Sequence, residues 1–396
     1  MSEANLKVVL FLVLMGLFAG LTQAQTPQVK LLWEKQFDSP VAGYSILEIQ
    51  NKLVVPVVTE KGVYICDAIG NAKELFRSKN FWKVISSGDG RSVDISSPEN
   101  RFRFDIISQR VTAVPKDVNT KWVSLDGSRR IGVHTHPPTP GYLGAFGTLR
   151  EFPDNHEMFS DTTDTLFLRN NANKIIMSKK IPRLSDICFS ATDNGFYTVN
   201  ADPSYEFYHL TAYDLDGRER WQVSRKIAVI ARPHAMEEGG LVSLEGKEGR
   251  DGWFCIFYNN QGVVVSEVDL GFDVNLWACE FTSSTDGKRI LLYNGSSVAL
   301  IQRDPPRVLW LKSGPGGGKP GMYTYGYLSS DGQYTAVNQI GESKAKTRTI
   351  LYNSIGQEVW RREFVPRGGT PAWGKGIPYL GILCQGGSAL AVYKID

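Results

Sequence analysis

The phrase YDLDGRERW runs from Tyr213 to Trp221 and returns as YNSIGQEVW from Tyr352 to Trp360. Each places Tyr, then Asp or Asn, then a turn ending in Gly, with Trp four residues beyond the Gly. Asp, Asn and Gly suit the middle of a tight antiparallel turn because they tolerate positive φ and bond their own backbone. Similar turns sit between β-branched and aromatic runs elsewhere: VYICDAIGNAKELF from Val63, RFDIISQRVTAV from Arg103, LFLRNNANKIIM from Leu166, CIFYNNQGVVV from Cys255 and ALIQRDPPRVLW from Ala299. Trp221, Trp310 and Trp360 fall at one offset in this register, where a large ring can dock on a neighbouring unit.

A second phrase, Ser-x-Asp-Gly, feeds an alternating apolar run: SGDGRSVDI from Ser87, SLDGSRRIGV from Ser124, STDGKRILLY from Ser284 and SSDGQYTAVN from Ser329. Its aspartates are Asp89, Asp126, Asp286 and Asp331, with weaker copies at Asp193 and near Glu238. Recurrence about every 45 residues means stacked supersecondary units, and four short strands per unit means propeller blades. Apolar residues alternate with period two throughout, and no sustained helical period competes. The predicted fold is all-β, a single closed β-propeller. Adding a first blade around Asn51 to Val58 and a last one around Leu380 to Asp396 gives eight four-stranded blades; seven follow if one irregular early blade is misread. One interval is long and leaves about 20 extra residues between His136 and Phe159, more than an ordinary connection needs.

The ends of the chain complete each other. LAVYKID stops at Asp396 with no turn after it, and KLLWEKQF around Trp33 is the half that should follow one. Joined, they make a further hairpin, which removes the open strand edges an unclosed ring would leave.

Before that lies a different segment. Lys7 precedes an apolar run from Val8 to Leu21, followed by Thr22-Gln23-Ala24. A basic start, an apolar stretch of secretory length and small residues before a cut after Ala24 read as a signal peptide. The run is shorter than the roughly 20 residues of a membrane span, although an uncleaved anchor is the alternative. The expectation is a signal peptide over 1–24 and one propeller domain over 25–396, secreted or periplasmic, monomeric and without a transmembrane segment after cleavage. A net charge of +3 with no basic run argues against nucleic-acid binding.

Five cysteines, Cys66, Cys188, Cys255, Cys279 and Cys384, are widely spaced and lie in or beside apolar runs. They read as buried thiols, with one disulfide as the alternative in an oxidising compartment.

The turn-Gly-x-x-x-Trp phrase resembles the repeats of quinoprotein-like propellers. The Ser-x-Asp-Gly phrase resembles the WD-like repeats of the periplasmic propeller of the Tol–Pal system. With a signal peptide and eight blades the chain is also similar to the propeller lipoprotein of the outer-membrane barrel-assembly machinery, except that no lipid-attachment cysteine is present. These resemblances span roughly residues 30 to 396 and imply a bacterial cell-envelope propeller. They do not extend to pyrroloquinoline quinone, because the chain lacks the adjacent cysteine pair of the quinoprotein dehydrogenases. No cofactor is predicted.

Three stretches carry candidate chemistry. His134 and His136 share one face of a strand, and His156 with Asp154 lies across the insertion, so the set can be read as a zinc-type metal site or as ordinary strand and loop residues. SGPGGGKPG, from Ser313 to Gly321, lacks the spacing and the following helix of a phosphate-binding loop. With PRGGTPAWGKG, from Pro366 to Gly376, it reads as a connection between blades, and the two bring Lys319, Tyr323, Arg367 and Trp373 to one rim as a recognition patch. Asp214 and Asp216 lack the later oxygen ligands of a calcium loop, and no GxSxG elbow is present. The expected function is a binding or scaffolding module for a protein or envelope component. An envelope enzyme using His134 and His136 in the central funnel is the alternative.

Overall fold

The computed structural model describes residues 27–396 apart from 78–82, 87–91, 97–100, 106–107, 109, 115–119, 124–128, 136–162, 171–173, 183, 191–194, 203–205, 227–228, 237–238, 248–249, 276–278, 314–322, 341–345, 365–370 and 375. The signal peptide expected over 1–24 lies outside these residues.

Turn chemistry sets the hairpins. In Tyr213–Trp221 the Asp214 carboxylate accepts the backbone N–H groups of Asp216 and Arg218 at 2.9 and 2.8 Å, and Gly217 takes φ +82°. In Tyr352–Trp360 the Asn353 amide oxygen does the same for Ile355 and Gln357 at 3.2 and 2.9 Å, with Gly356 at φ +77°. Asp67 and Asn259 repeat the arrangement. The Ser-x-Asp-Gly turns work through a hydroxyl. Ser284 donates to Asp286 at 2.7 Å and accepts the Arg289 N–H at 3.0 Å, while Ser329 donates to Asp331 at 2.6 Å and accepts the Tyr334 N–H at 2.9 Å. The copies at Ser87 and Ser124 fall outside the described residues.

Hydrogen bonding groups the described strands into eight antiparallel sheets. The first holds Val41–Tyr44, Lys52–Thr59, Gly62–Cys66 and Ala72–Arg77, with Leu47–Ile49 added beside Lys52–Thr59. The second holds Lys83–Ser86, Ser92–Ser96, Arg101–Asp105 and Arg110–Val114; the third holds Thr120–Val123, Arg129–Thr135, Thr163–Asn170 and Ile175–Pro182. Leu184–Phe189, Phe196–Ala201, Tyr208–Tyr213 and Glu219–Arg225 form the fourth, and Val229–Ala235, Leu241–Lys247, Arg250–Tyr258 and Val264–Asp269 the fifth. Glu280–Ser283, Arg289–Tyr293, Ser297–Gln302 and Arg307–Ser313 form the sixth, and Tyr323–Leu328, Tyr334–Ile340, Thr347–Asn353 and Glu358–Phe364 the seventh. The eighth combines Pro371–Trp373, Tyr379–Cys384 and Ala389–Ile395 with Val29–Gln36 from the other end of the chain.

The two ends pair as the half-hairpins require. Val29 faces Ile395 and Gln36 faces Ala389, with one bulge near Trp33. The Asp396 N–H donates to the Gln28 carbonyl at 3.0 Å where a turn would otherwise be.

Seven apolar clusters each bridge two successive sheets. Leu210 and Val199 of the fourth sheet meet Ile256 and Tyr258 of the fifth, for example, and Ala336 and Leu351 of the seventh meet Leu380 and Ala391 of the eighth. Trp33 and Val392 of the eighth sheet join Val55 and Val57 of the first. Among the described residues no such cluster joins sheets two and three. The recurrent tryptophans serve these junctions: a Cβ added to Gly262 would come within 2.7 Å of the Trp221 ring, and one on Gly356 within 2.8 Å of Trp310. Trp360 has no such turn to cover, because the chain ends stand there, and it packs on Tyr393 with centroids 5.1 Å apart.

All five cysteines are free, and all but Cys188 are buried. Among the described residues no helix is long and apolar enough to cross a membrane.

Candidate functional site

The first strands of successive sheets run beside one another, so their side chains are the ones the fold gathers. The first strand of the seventh sheet reads YTYGYL, Tyr323 to Leu328. Period two places Tyr325 and Tyr327 on one face and Thr324 and Gly326 on the other. Gly326 meets the sixth sheet so closely that an added Cβ would lie 2.8 Å from Leu291 and 2.9 Å from Val298. A side chain there would overpack the junction. This close approach fixes which face carries the tyrosines.

Tyr293 of the sixth sheet lies within reach of that ladder. Its ring centroid is 5.9 Å from Tyr325 at 66° and 6.3 Å from Tyr327 at 39°. The Tyr293 hydroxyl donates to the Glu280 carboxylate, its partner across the hairpin. Burial first, then the Glu280 charge, pushes the Tyr293 phenol far up, and the neighbouring Tyr327 and Tyr325 push the same way. Tyr44 of the first sheet is within electrostatic reach of Tyr327. Its hydroxyl donates to the Gly381 carbonyl at 2.7 Å, and its phenol is raised by burial and then by Tyr327. Glu280 is exposed, whereas Tyr44, Tyr325 and Tyr327 are half-buried.

A second polar pair spans sheets five and six. His234 Nε2 and Ser283 Oγ are 3.0 Å apart, and Phe281 lies 6.4 Å from the imidazole. Burial holds the His234 pKa down, to about 4, so the ring is neutral at neutral pH. Beyond it, burial and then Asp186 push the Cys188 thiol far up, which makes it a weak nucleophile. No sequence motif announces this pair; its members stand 49 residues apart on different sheets.

Of the residues singled out from sequence, Tyr323, Trp373 and His134 lie on described strands. The Gly-rich run Pro366–Gly376 is not one connection: it contains the strand Pro371–Trp373, so Gly374 and Gly376 belong to the next turn. Proline is allowed at the head of an innermost strand because that edge needs no ladder N–H there. The Trp373 indole N–H donates to the Tyr327 carbonyl at 2.8 Å, and its ring stacks on Tyr334 at 6.5 Å. It packs against the cluster between sheets seven and eight. Tyr323 begins its strand four residues before Tyr327, about 13 Å away at the usual rise. Lys319 and Arg367 lie outside the described residues, as do His136, His156 and Asp154. His134 sits in Arg129–Thr135, the second strand of its sheet, facing Thr165. Among the described residues no group of three or more His, Cys, Asp or Glu is placed to hold a metal ion.

No protein-family model matches this chain, and no curated protein matches it. The WD40 domain of SCAP from fission yeast is similar in structure, with a TM-score of 0.50 at 7% identity over 93% of this chain and 98% of that one. Acylaminoacyl peptidase from Pyrococcus horikoshii has a TM-score of 0.50 at 13% identity over 81% of this chain and 52% of that chain. The β-propeller domain of Cps50 (Swd1) from Myceliophteria thermophila has a TM-score of 0.47 at 9% identity, over 81% and 98%. The likeness to the first carries the fold and nothing further: the chain is a β-propeller.

Proposed function

We propose that residues 25–396 form one closed, eight-bladed, monomeric propeller that works as a binding module in the bacterial cell envelope, exported by the segment 1–24. The observation that carries the binding reading is the gathering of partly exposed phenol, carboxylate and imidazole groups on the first strands of neighbouring sheets. A rigid ring holding polar and aromatic groups at its axis is suited to recognition. The pairing of Val29–Gln36 with Ala389–Ile395 supports closure, and the Val8–Leu21 apolar run supports export. Tyr323, with Lys319 and Arg367 in the connections entering sheets seven and eight, belongs to the rim around that axis.

Two measurements test the proposal. Immobilised residues 25–396 should retain a component of fractionated envelope saturably, and free propeller should compete it off. Absence of saturable retention from every envelope fraction overturns the binding reading. Residues 1–30 fused to alkaline phosphatase should give activity outside the cytoplasm; phosphatase that stays inactive inside overturns the export reading.

A further inference from the structure

We infer that the corner formed by Tyr293, Tyr325, Tyr327 and the Glu280 carboxylate binds an alkylammonium group. The inference rests on the binding reading above and names the ligand chemistry of that site. Three rings meet at 66° and 39° rather than lying in one plane, so their faces and edges enclose a corner. The face of a phenol attracts a cation through its quadrupole, most strongly where water is partly excluded. Tyr325 and Tyr327 are half-buried, which meets that condition.

Glu280 gives the corner its sign. Its carboxylate is exposed at the first residue of its strand and is held in place by the Tyr293 hydroxyl. An exposed, oriented carboxylate beside aromatic faces supplies the charge that an ammonium ion needs and a neutral ligand does not. After burial, the Glu280 carboxylate is the largest influence on Tyr293, and it disfavours negative charge there. Anionic ligands are therefore repelled from the position that a cation would occupy. The sequence makes the arrangement rigid: Gly326 seats the tyrosine strand against Leu291 and Val298, and Trp373 holds the Tyr327 carbonyl from the other side.

The test uses the whole propeller, residues 25–396, titrated with choline and with its neutral carbon isostere, neohexyl alcohol, by calorimetry and by tyrosine fluorescence. A blocked lysine amide and its acetylated form make a second pair. Choline should bind at least about tenfold more tightly than neohexyl alcohol, the order expected when a cation meets several aromatic faces and a carboxylate. Tighter binding of the lysine amide than of choline would assign the source to a protein side chain, and the reverse to a free solute. Glu280→Gln keeps an acceptor for Tyr293 and should weaken choline about tenfold without altering the thermal midpoint. Tyr327→Leu removes one aromatic face and should lose choline binding. Equal affinity for choline and neohexyl alcohol, or unchanged choline affinity in Glu280→Gln, overturns the inference. Saturable envelope retention that persists in Glu280→Gln would leave the binding module standing with this ligand class refuted. Choline binding without envelope retention would do the opposite.

Discussion

The Trp221 indole N–H donates to the Asn260 carbonyl at 2.8 Å, in the turn of the next sheet, while its ring covers Gly262. Trp310 likewise covers Gly356, though with its Cβ and five-membered ring, and among the described residues its buried indole nitrogen has no hydrogen-bond partner. One of these two junction tryptophans is therefore anchored by a hydrogen bond and the other is not.

Replacing each by Phe separates the two contributions. Trp221→Phe strips a partner from the Asn260 carbonyl, whereas Trp310→Phe removes an unsatisfied buried donor. Since a net hydrogen bond is worth about 1 kcal/mol and an orphaned donor costs about 1–3 kcal/mol, Trp221→Phe should be the more destabilising by about 1–3 kcal/mol. Urea midpoints at matched slope measure the difference; equal midpoints would show that the N–H contributes nothing.

Deleting Leu390–Asp396 removes most of the strand that holds Val29–Gln36. Leu390, Val392 and Tyr393 are fully or almost fully buried, and each contributes about 1.5–3 kcal/mol of burial. Their sum is comparable with the whole stability of a typical domain. The truncated chain should lose its cooperative thermal transition and aggregate. A melt as sharp as the parent's, at the same temperature, would show that the terminal strands do not hold the fold.

Trp373→Ala should cost about 2–4 kcal/mol, because it removes a packed ring and the donor to the Tyr327 carbonyl. An exposed recognition residue would instead change stability by no more than about 0.5 kcal/mol. Chemical denaturation decides between the two.

His234 makes stability depend on pH. Its folded pKa lies near 4, below its ordinary value of 6.5, because burial disfavours the imidazolium. Between those values the unfolded chain binds the proton and the folded chain does not. Stability from this group is therefore present above pH 6.5 and lost as pH falls toward 4. His234→Gln should flatten the thermal midpoint over that window, and an unchanged slope would assign the acid sensitivity elsewhere.

The hairpins were legible because backbone geometry demands particular residues. Asp214 and Asn353 bond the N–H groups two and four residues on, and Gly217 and Gly356 take positive φ. Those demands recur at fixed spacing and show in the sequence. The terminal pairing was legible for the same reason, as two halves each lacking a turn. Trp373 was not, since a three-residue strand inside a Gly-rich run has too few residues to show alternation. His234 with Ser283, and Tyr44 with the tyrosine ladder, arise only when different sheets adjoin. The ladder itself could have been found from the alternation in YTYGY, had Gly326 been taken as a point of close approach.

The pairing of Val29–Gln36 with Ala389–Ile395 also sets a clock. Gln36 and Ser388, bonded in the finished molecule, are 352 residues apart along the chain. At about 5–20 residues per second of synthesis, the first strand waits roughly 20–70 s for its partner to exist. Throughout that delay Leu31, Leu32 and Trp33 are an unmatched apolar edge, open to any other nascent strand.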